Sequence, residues 1–156
     1  MISVIVPIYN SNETLSDCLD GIFSNKVENF EVIVVDDKST DNSVEIAKNY
    51  DCKIIELNEN KGPAFARNTG ANSATGDILL FIDSDVIINS DALMNVSQLF
   101  KNNKGTIFQG IYSHKTNYKN ISTQYQQSFY SYYSWNPADN YTDILTSCYF
   151  SIEKKK

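Results

Sequence analysis

Phe30-Glu31-Val32-Ile33-Val34-Val35-Asp36-Asp37 is a β-branched run that stops on two carboxylates. An apolar run of this length without alternation reads as a strand covered on both faces, the kind found in parallel sheets. Toward the N-terminus, Ile2-Ser3-Val4-Ile5-Val6, closed by Pro7, reads the same way. Between the two, Thr14-Leu15-Ser16-Asp17 has the pattern of a capping box with Asp in place of Glu, and Leu15, Leu19, Ile22 and Phe23 recur at helical spacing. Strand, helix and strand in that order make one βαβ unit.

The alternation continues toward the C-terminus. Ser39 is expected to cap a helix carrying Val44, Ile46 and Ala47, and Lys53-Ile54-Ile55-Glu56-Leu57 is expected to be a strand. Gly62-Pro63 opens a helix through Ala66, Gly70 and Ala74, and Ile78-Leu79-Leu80-Phe81-Ile82 is a fourth strand. Ser90-Asp91 starts a helix with Leu93, Met94, Val96, Leu99 and Phe100, and Thr106-Ile107-Phe108 begins another strand. The predicted class is α/β, a mostly parallel sheet flanked by helices on both faces. Beyond Tyr112, residues 124–135 are read as a polar, Tyr-rich amphipathic helix and 144–152 as a late strand. No internal repeat and no interdomain linker is visible.

Composition narrows the function. The 156 residues are 42% apolar and 21% charged, an ordinary globular balance, and roughly 70% of the unfolded surface of a chain this long can be buried without disulfide or metal staples. Residues 1–91 carry 6 Lys+Arg against 16 Asp+Glu, while residues 92–156 carry 7 against 3. The acidic first part argues against a nucleic-acid partner, and its carboxylates suit hard cations or ligand donors as well as a solvated surface. Eight of the ten Tyr lie beyond Ile111, so the two parts are expected to have different jobs. Three cysteines, Cys18, Cys52 and Cys148, form no CxxC pair and fit reduced, packed thiols in a cytoplasmic setting. No apolar run approaches the ~20 residues that span a bilayer.

In a doubly wound sheet, ligands bind outside the carboxyl ends of the strands. Those ends are Pro7-Ile8-Tyr9-Asn10, Asp36-Asp37-Lys38-Ser39 and Asp83-Ser84-Asp85. If strand geometry persists through Ser84, Asp83 and Asp85 point to the same side and can share one cation, although turn or cap roles are the plainer reading of an Asp-x-Asp. Mg²⁺ and Mn²⁺ both accept one or two carboxylates completed by substrate phosphates and waters. Arg67 is the only arginine against twelve lysines. One guanidinium in a Lys-rich chain suggests bidentate recognition of a phosphate or a specific carboxylate. No G-x-G-x-x-G follows the first strand, which disfavours a dinucleotide-binding dehydrogenase.

Four segments together carry a resemblance: Ile5-Val6-Pro7-Ile8-Tyr9-Asn10, Val34-Val35-Asp36-Asp37-Lys38-Ser39-Thr40-Asp41, Asn60-Lys61-Gly62-Pro63-Ala64-Phe65-Ala66-Arg67-Asn68 and Phe81-Ile82-Asp83-Ser84-Asp85. In this order and spacing they resemble the motifs of family-2 glycosyltransferases, over residues 1 to about 112. The resemblance implies a GT-A, Rossmann-like fold. It divides the chain into a nucleotide-sugar (donor) part at 1–112 and the start of an acceptor-side part at 113–156 within the same domain. It implies metal-dependent inverting transfer from a nucleotide-diphosphate sugar, UDP-sugar favoured, to a saccharide or lipid-linked acceptor in cell-wall or polysaccharide synthesis. Pro7 and Tyr9 would line the nucleobase pocket, Asp37 would accept from the base edge, and Arg67 would lie near the nucleotide. Asp83 would sit near the ribose or metal, and Asp85 would ligate Mn²⁺ or Mg²⁺. A carboxylate takes a ring N–H of uracil or two donors of guanine, so Asp37 leaves the base open. A GDP-mannose-using polyprenyl-phosphate glycosyltransferase and a non-catalytic nucleotide-sugar-binding module remain the alternatives.

Inverting transfer also needs a general base. In the family it follows a Gly-Gly-Phe-like segment in a Glu-Asp-type motif, and neither occurs here. The base is therefore expected beyond Lys156, leaving His114, Asp139, Asp143 and Glu153 as ordinary titratable groups. Membrane contact, at a cytoplasmic face, is expected only through sequence outside these residues. The aromatic residues of 125–135 suit an acceptor surface or simple packing.

Overall fold

The computed structural model describes residues 1–102, 107–109 and 149–154. The expected helix over 124–135, together with His114, Asp139, Asp143 and Cys148, lies outside the described residues. Met1–Phe108 and Ser147–Lys156 form one compact unit. It is built on strands β1 (Ile2–Ile8), β2 (Phe30–Asp36), β3 (Lys53–Glu56), β4 (Ile78–Ile82), β5 (Phe108–Gln109) and β6 (Tyr149–Glu153). Helices α1 (Leu15–Phe23), α2 (Ser43–Ala47), α3 (Pro63–Ser73) and α4 (Ala92–Asn102) connect them.

The sheet order is β3-β2-β1-β4-β6-β5. Pairings β1 to β2, β2 to β3 and β1 to β4 are parallel, whereas β6 runs antiparallel to β4. Of the late strand expected over 144–152, the described part is present as β6 at Tyr149–Glu153, residues 144–148 lying outside the described residues, and its antiparallel pairing makes the sheet mostly rather than wholly parallel. Its Phe150 sits opposite Phe81 and stacks on it, with centroids 4.6 Å apart.

Strand alternation sorts side chains into two cores. Val4, Val6 and Ile8 of β1, with Val32, Val34, Leu80 and Ile82, pack against Leu15, Leu19 and Ile22 of α1 and Leu93 and Val96 of α4. Ile5, Ile33, Val35, Leu79 and Phe81 face the other way onto Ala66 of α3. Each such fully buried aliphatic side chain contributes about 1.5–3 kcal/mol, which is why the helices take these faces despite short lengths. Helix α3 lies close to the sheet because Gly70 leaves room: a Cβ there would come 2.5 Å from Ile5 Cγ2.

Two capping expectations are corrected. Thr14 makes no side-chain cap, because its backbone (φ −119°, ψ −23°) is already helical rather than extended. Instead, the Ser11 carbonyl accepts the N–H groups of Thr14 and Leu15 at 3.1 and 3.0 Å. Ser39 does not cap α2 either. That helix begins at Ser43, and Asp41 Oδ1 accepts the Ser43 N–H at 3.0 Å. Helix α4 is capped from afar: Asn25, 7% exposed, accepts the Leu93 N–H at 3.0 Å.

Candidate functional site

The β1 to β4 ladder runs only from Ile2↔Ile78 to Ile5↔Phe81, whereas β1 stays paired with β2 to Ile8↔Asp36. The sheet therefore opens between β1 and β4 at its carboxyl end. Helices α1 and α3 leave for opposite faces around this point, which makes it the topological switch point where ligands bind in open α/β sheets. The opening also accommodates Pro7. The Ile8 carbonyl turns toward β2, where it accepts the Asp37 N–H at 2.8 Å, so the missing Pro7 N–H falls on the β4 side, past the last paired residue.

Two sharp turns follow β1 and β2, with Asn10 at φ 51° and Lys38 at φ 69°. Left-handed backbone is tolerable for Asn and costs more for Lys, so the surrounding bonds have to hold it. They do so by lacing the two loops together. Asn10 N–H donates to Ser39 Oγ at 3.0 Å, and Thr40 N–H donates to Asn10 Oδ1 at 2.8 Å. Ser11 N–H donates to Ser43 Oγ at 2.8 Å, and Asn12 N–H to Asp41 Oδ2 at 3.0 Å. Asp36, 3% exposed, accepts the Ser39 N–H within its own turn.

Asp37 is also 3% exposed, and its oxygens accept the N–H groups of Lys61 and Gly62, each at 2.7 Å. It thereby fixes the end of β2 to the start of α3, where Gly62 takes φ 85° and Pro63 opens the helix. One turn along α3, the Arg67 guanidinium pairs with Asp83 Oδ1, both side chains being largely covered. Arg67 Nε is buried and has no hydrogen-bond partner among the described residues.

Asp83 and Asp85 do not lie on a continued strand, so the expected same-side placement is not met. Strand β4 ends at Ile82, and the Val86 N–H closes a turn on the Asp83 carbonyl at 3.0 Å. The turn separates the two carboxylates by environment: Asp83 is drawn to Arg67, while Asp85 is exposed and makes no hydrogen bond or ion pair among the described residues. Below them, Cys18 Sγ lies 3.6 Å from the Asp83 carbonyl. Burial, then the charges of Asp85 and Asp83, push this thiol up to about 12, so at neutral pH it is a packed S–H and no nucleophile.

Of the residues singled out in the sequence, Arg67 and Asp83 touch, and Asp37 anchors the loop that leads to Arg67. Pro7 is buried in β1, and Tyr9 is 51% exposed beyond its end. Ser11, Ser43 and Asp41, which lace the rim, were not singled out, since a serine or aspartate in a loop carries no distinguishing pattern. No three His, Cys, Asp or Glu side chains among the described residues gather to cage an ion. One exposed carboxylate beside a second that is ion-paired fits a cation whose remaining ligands are phosphate oxygens and water.

The chain is similar to proteins of one kind. The model of the family described as "Glycosyl transferase family 2" matches residues 3–155. A poly(ribitol-phosphate) beta-glucosyltransferase of Bacillus spizizenii is 39% identical over 117 residues, covering 70% of this chain and 18% of that protein. Glycosyltransferase GlyA of Streptococcus pneumoniae is 36% identical over 155 residues, covering 96% of this chain and 19% of that protein. The chain thus spans about a fifth of the length of these relatives. The crystal structure of Staphylococcus aureus TarS 1-349 in complex with UDP superposes with a TM-score of 0.68 at 31% identity, covering 77% of this chain and 37% of that one.

Proposed function

This chain belongs to glycosyl transferase family 2, with a GT-A fold, and on that premise we propose that it binds the nucleoside diphosphate of a sugar donor, UDP-sugar favoured, at the opening between β1 and β4. The observation that carries the reading is the division of labour in the Asp83-Ser84-Asp85 turn. Asp83 is held by Arg67, and Asp85 stands exposed at the rim. Asp85 would hold Mn²⁺ or Mg²⁺, with Asp83 beside it near the ribose or metal. Such a cation neutralises charge on the departing diphosphate and holds it in line.

The chain's own groups do the rest of donor recognition. Tyr9 offers an exposed ring beyond the end of β1, suited to the face of a base. The Asp37 oxygens each take one backbone N–H and keep lone pairs for a base N–H. Arg67 retains guanidinium donors beyond its bond to Asp83. The reaction served is inverting transfer to a saccharide or lipid-linked acceptor in cell-wall or polysaccharide synthesis, in keeping with the glucosyltransferase named among its relatives. Among the described residues no helix is long and apolar enough to cross a membrane.

Calorimetric titration with UDP, GDP and TDP, each with and without Mn²⁺, tests the reading. The expected result is tightest binding of UDP, strengthened by the cation. Tightest binding of GDP would move the assignment to a GDP-mannose user, and no binding of any of the three would reject the site.

A further inference from the structure

We propose that Ser11 is a positioning residue that sets the span between the nucleobase end and the cation end of the donor site; this rests on the reading of Asp85 as the cation's ligand. One hydroxyl touches both ends. On the β1 side, Ser11 Oγ accepts the Tyr9 N–H at 3.3 Å and reaches the Tyr9 carbonyl at 3.4 Å. On the β4 side, it meets Ser84 Oγ at 2.8 Å, the shortest of its contacts, and Ser84 is the residue between Asp83 and Asp85.

A serine hydroxyl has one proton and two lone pairs. With the Ser11 proton given to the Tyr9 carbonyl, its lone pairs take the Tyr9 N–H and the Ser84 hydroxyl, and the inventory is filled. Ser11 itself is immobilised from behind. Its N–H donates to Ser43 Oγ at 2.8 Å, and the Ser43 hydroxyl donates to Asp41 Oδ1 at 2.6 Å. The strut therefore starts on the laced β1 and β2 loops and ends on the turn that presents Asp85. It crosses the gap that the β1 to β4 ladder leaves open beyond Ile5.

Without the strut, the Asp83 side of the turn is still held by Arg67, Cys18 and Val86. The fold survives, but Asp85 is less well placed relative to a base bound near Tyr9. The loss falls on the coupling between nucleotide and cation rather than on either alone. A hydrogen bond worth about 1 kcal/mol corresponds to a coupling loss of about fivefold.

The experiment measures UDP affinity with and without Mn²⁺ in the wild type, Ser11→Ala, Ser84→Ala, the double variant and Ser11→Thr, with Tm for each. The proposal expects a fall in Tm of no more than about 4 °C and a metal-free affinity weakened much less than the affinity in the presence of Mn²⁺. The gain in affinity on adding Mn²⁺ should shrink about fivefold in either alanine variant, no further in the double variant, and be restored by threonine. If the wild type shows no gain with Mn²⁺, the cation site itself is wrong and the strut falls with it. If the wild type shows the gain and Ser11→Ala keeps it, the strut alone is refuted. A fall in Tm with equal weakening in both conditions would make Ser11 merely structural.

Discussion

The two ends of the sheet use the same residue types to opposite purposes. At the amino end, Glu31 Oε1 accepts from Ser3 Oγ at 2.6 Å, Thr75 N–H at 2.6 Å, Thr75 Oγ1 at 2.8 Å and Gly76 N–H at 3.2 Å. The Asp77 and Ile78 N–H groups donate to the Met1 carbonyl, and the Met1 ammonium pairs with Asp77. Every polar group named there has a partner within the fold. At the carboxyl end, left-handed Asn10 and Lys38 and an exposed Asp85 stand within three residues of the strand ends, and Arg67, paired with Asp83, has an Nε without a hydrogen-bond partner among the described residues. A carboxylate saturated by donors is architecture, and one left open on a rigid rim is available to a ligand.

Substitutions at the two ends should separate stability from binding. The largest effect is expected for Gly76→Ala at the amino end. A Cβ there would lie 2.6 Å from Ser3 Oγ and 2.7 Å from the Met1 carbonyl, so the backbone must shift. Overpacking of this kind costs about 1–3 kcal/mol. Urea unfolding should report the loss, with UDP affinity, measured well below the melt, unchanged. At the other end, Arg67→Lys keeps the charge and discards the planar fork, so UDP binding should weaken by about tenfold while Tm moves little. A large fall in Tm with affinity retained would place Arg67 among the structural residues.

The smallest effect concerns pH. Burial pushes Glu31 up, but the donors from Ser3, Thr75 and Gly76 together outweigh it and hold the carboxyl below its ordinary 4.5. A depressed folded pKa contributes stability that is fully present above 4.5 and fades as the pH falls through the folded value. Glu31→Gln should therefore flatten the acid limb of the stability curve below about pH 4.5 and leave nucleotide binding at pH 7 untouched. An acid limb identical to that of the wild type would remove Glu31 from the account.

The strands and their polar ends were legible because β-branched runs and their terminators are local patterns. The Gly62-Pro63 helix start was legible for the same reason. What escaped is the bonding that joins residues far apart in the chain. Asp37 shows as a strand-end carboxylate, yet its partners are backbone N–H groups of Lys61 and Gly62. Asn25 caps a helix that begins well downstream, and Ser11 reaches Ser84. The local errors have a local cause. Thr14 has the right side chain for a cap but a helical backbone, and Ser39 stands four residues before the helix it was expected to cap, its hydroxyl accepting the Asn10 N–H instead. The turn at Ser84 likewise replaced an assumed continuation of β4.

The most direct test of the account is calorimetric binding of UDP with and without Mn²⁺ to the wild type and to Asp85→Ala. An exposed rim carboxylate adds nothing to either core, so the variant should keep its Tm and its metal-free UDP affinity and lose the gain that Mn²⁺ brings. A variant that binds UDP with Mn²⁺ as tightly as the wild type would contradict the assignment of Asp85 and, with it, the division of the Asp83-Ser84-Asp85 turn into a held and an open carboxylate.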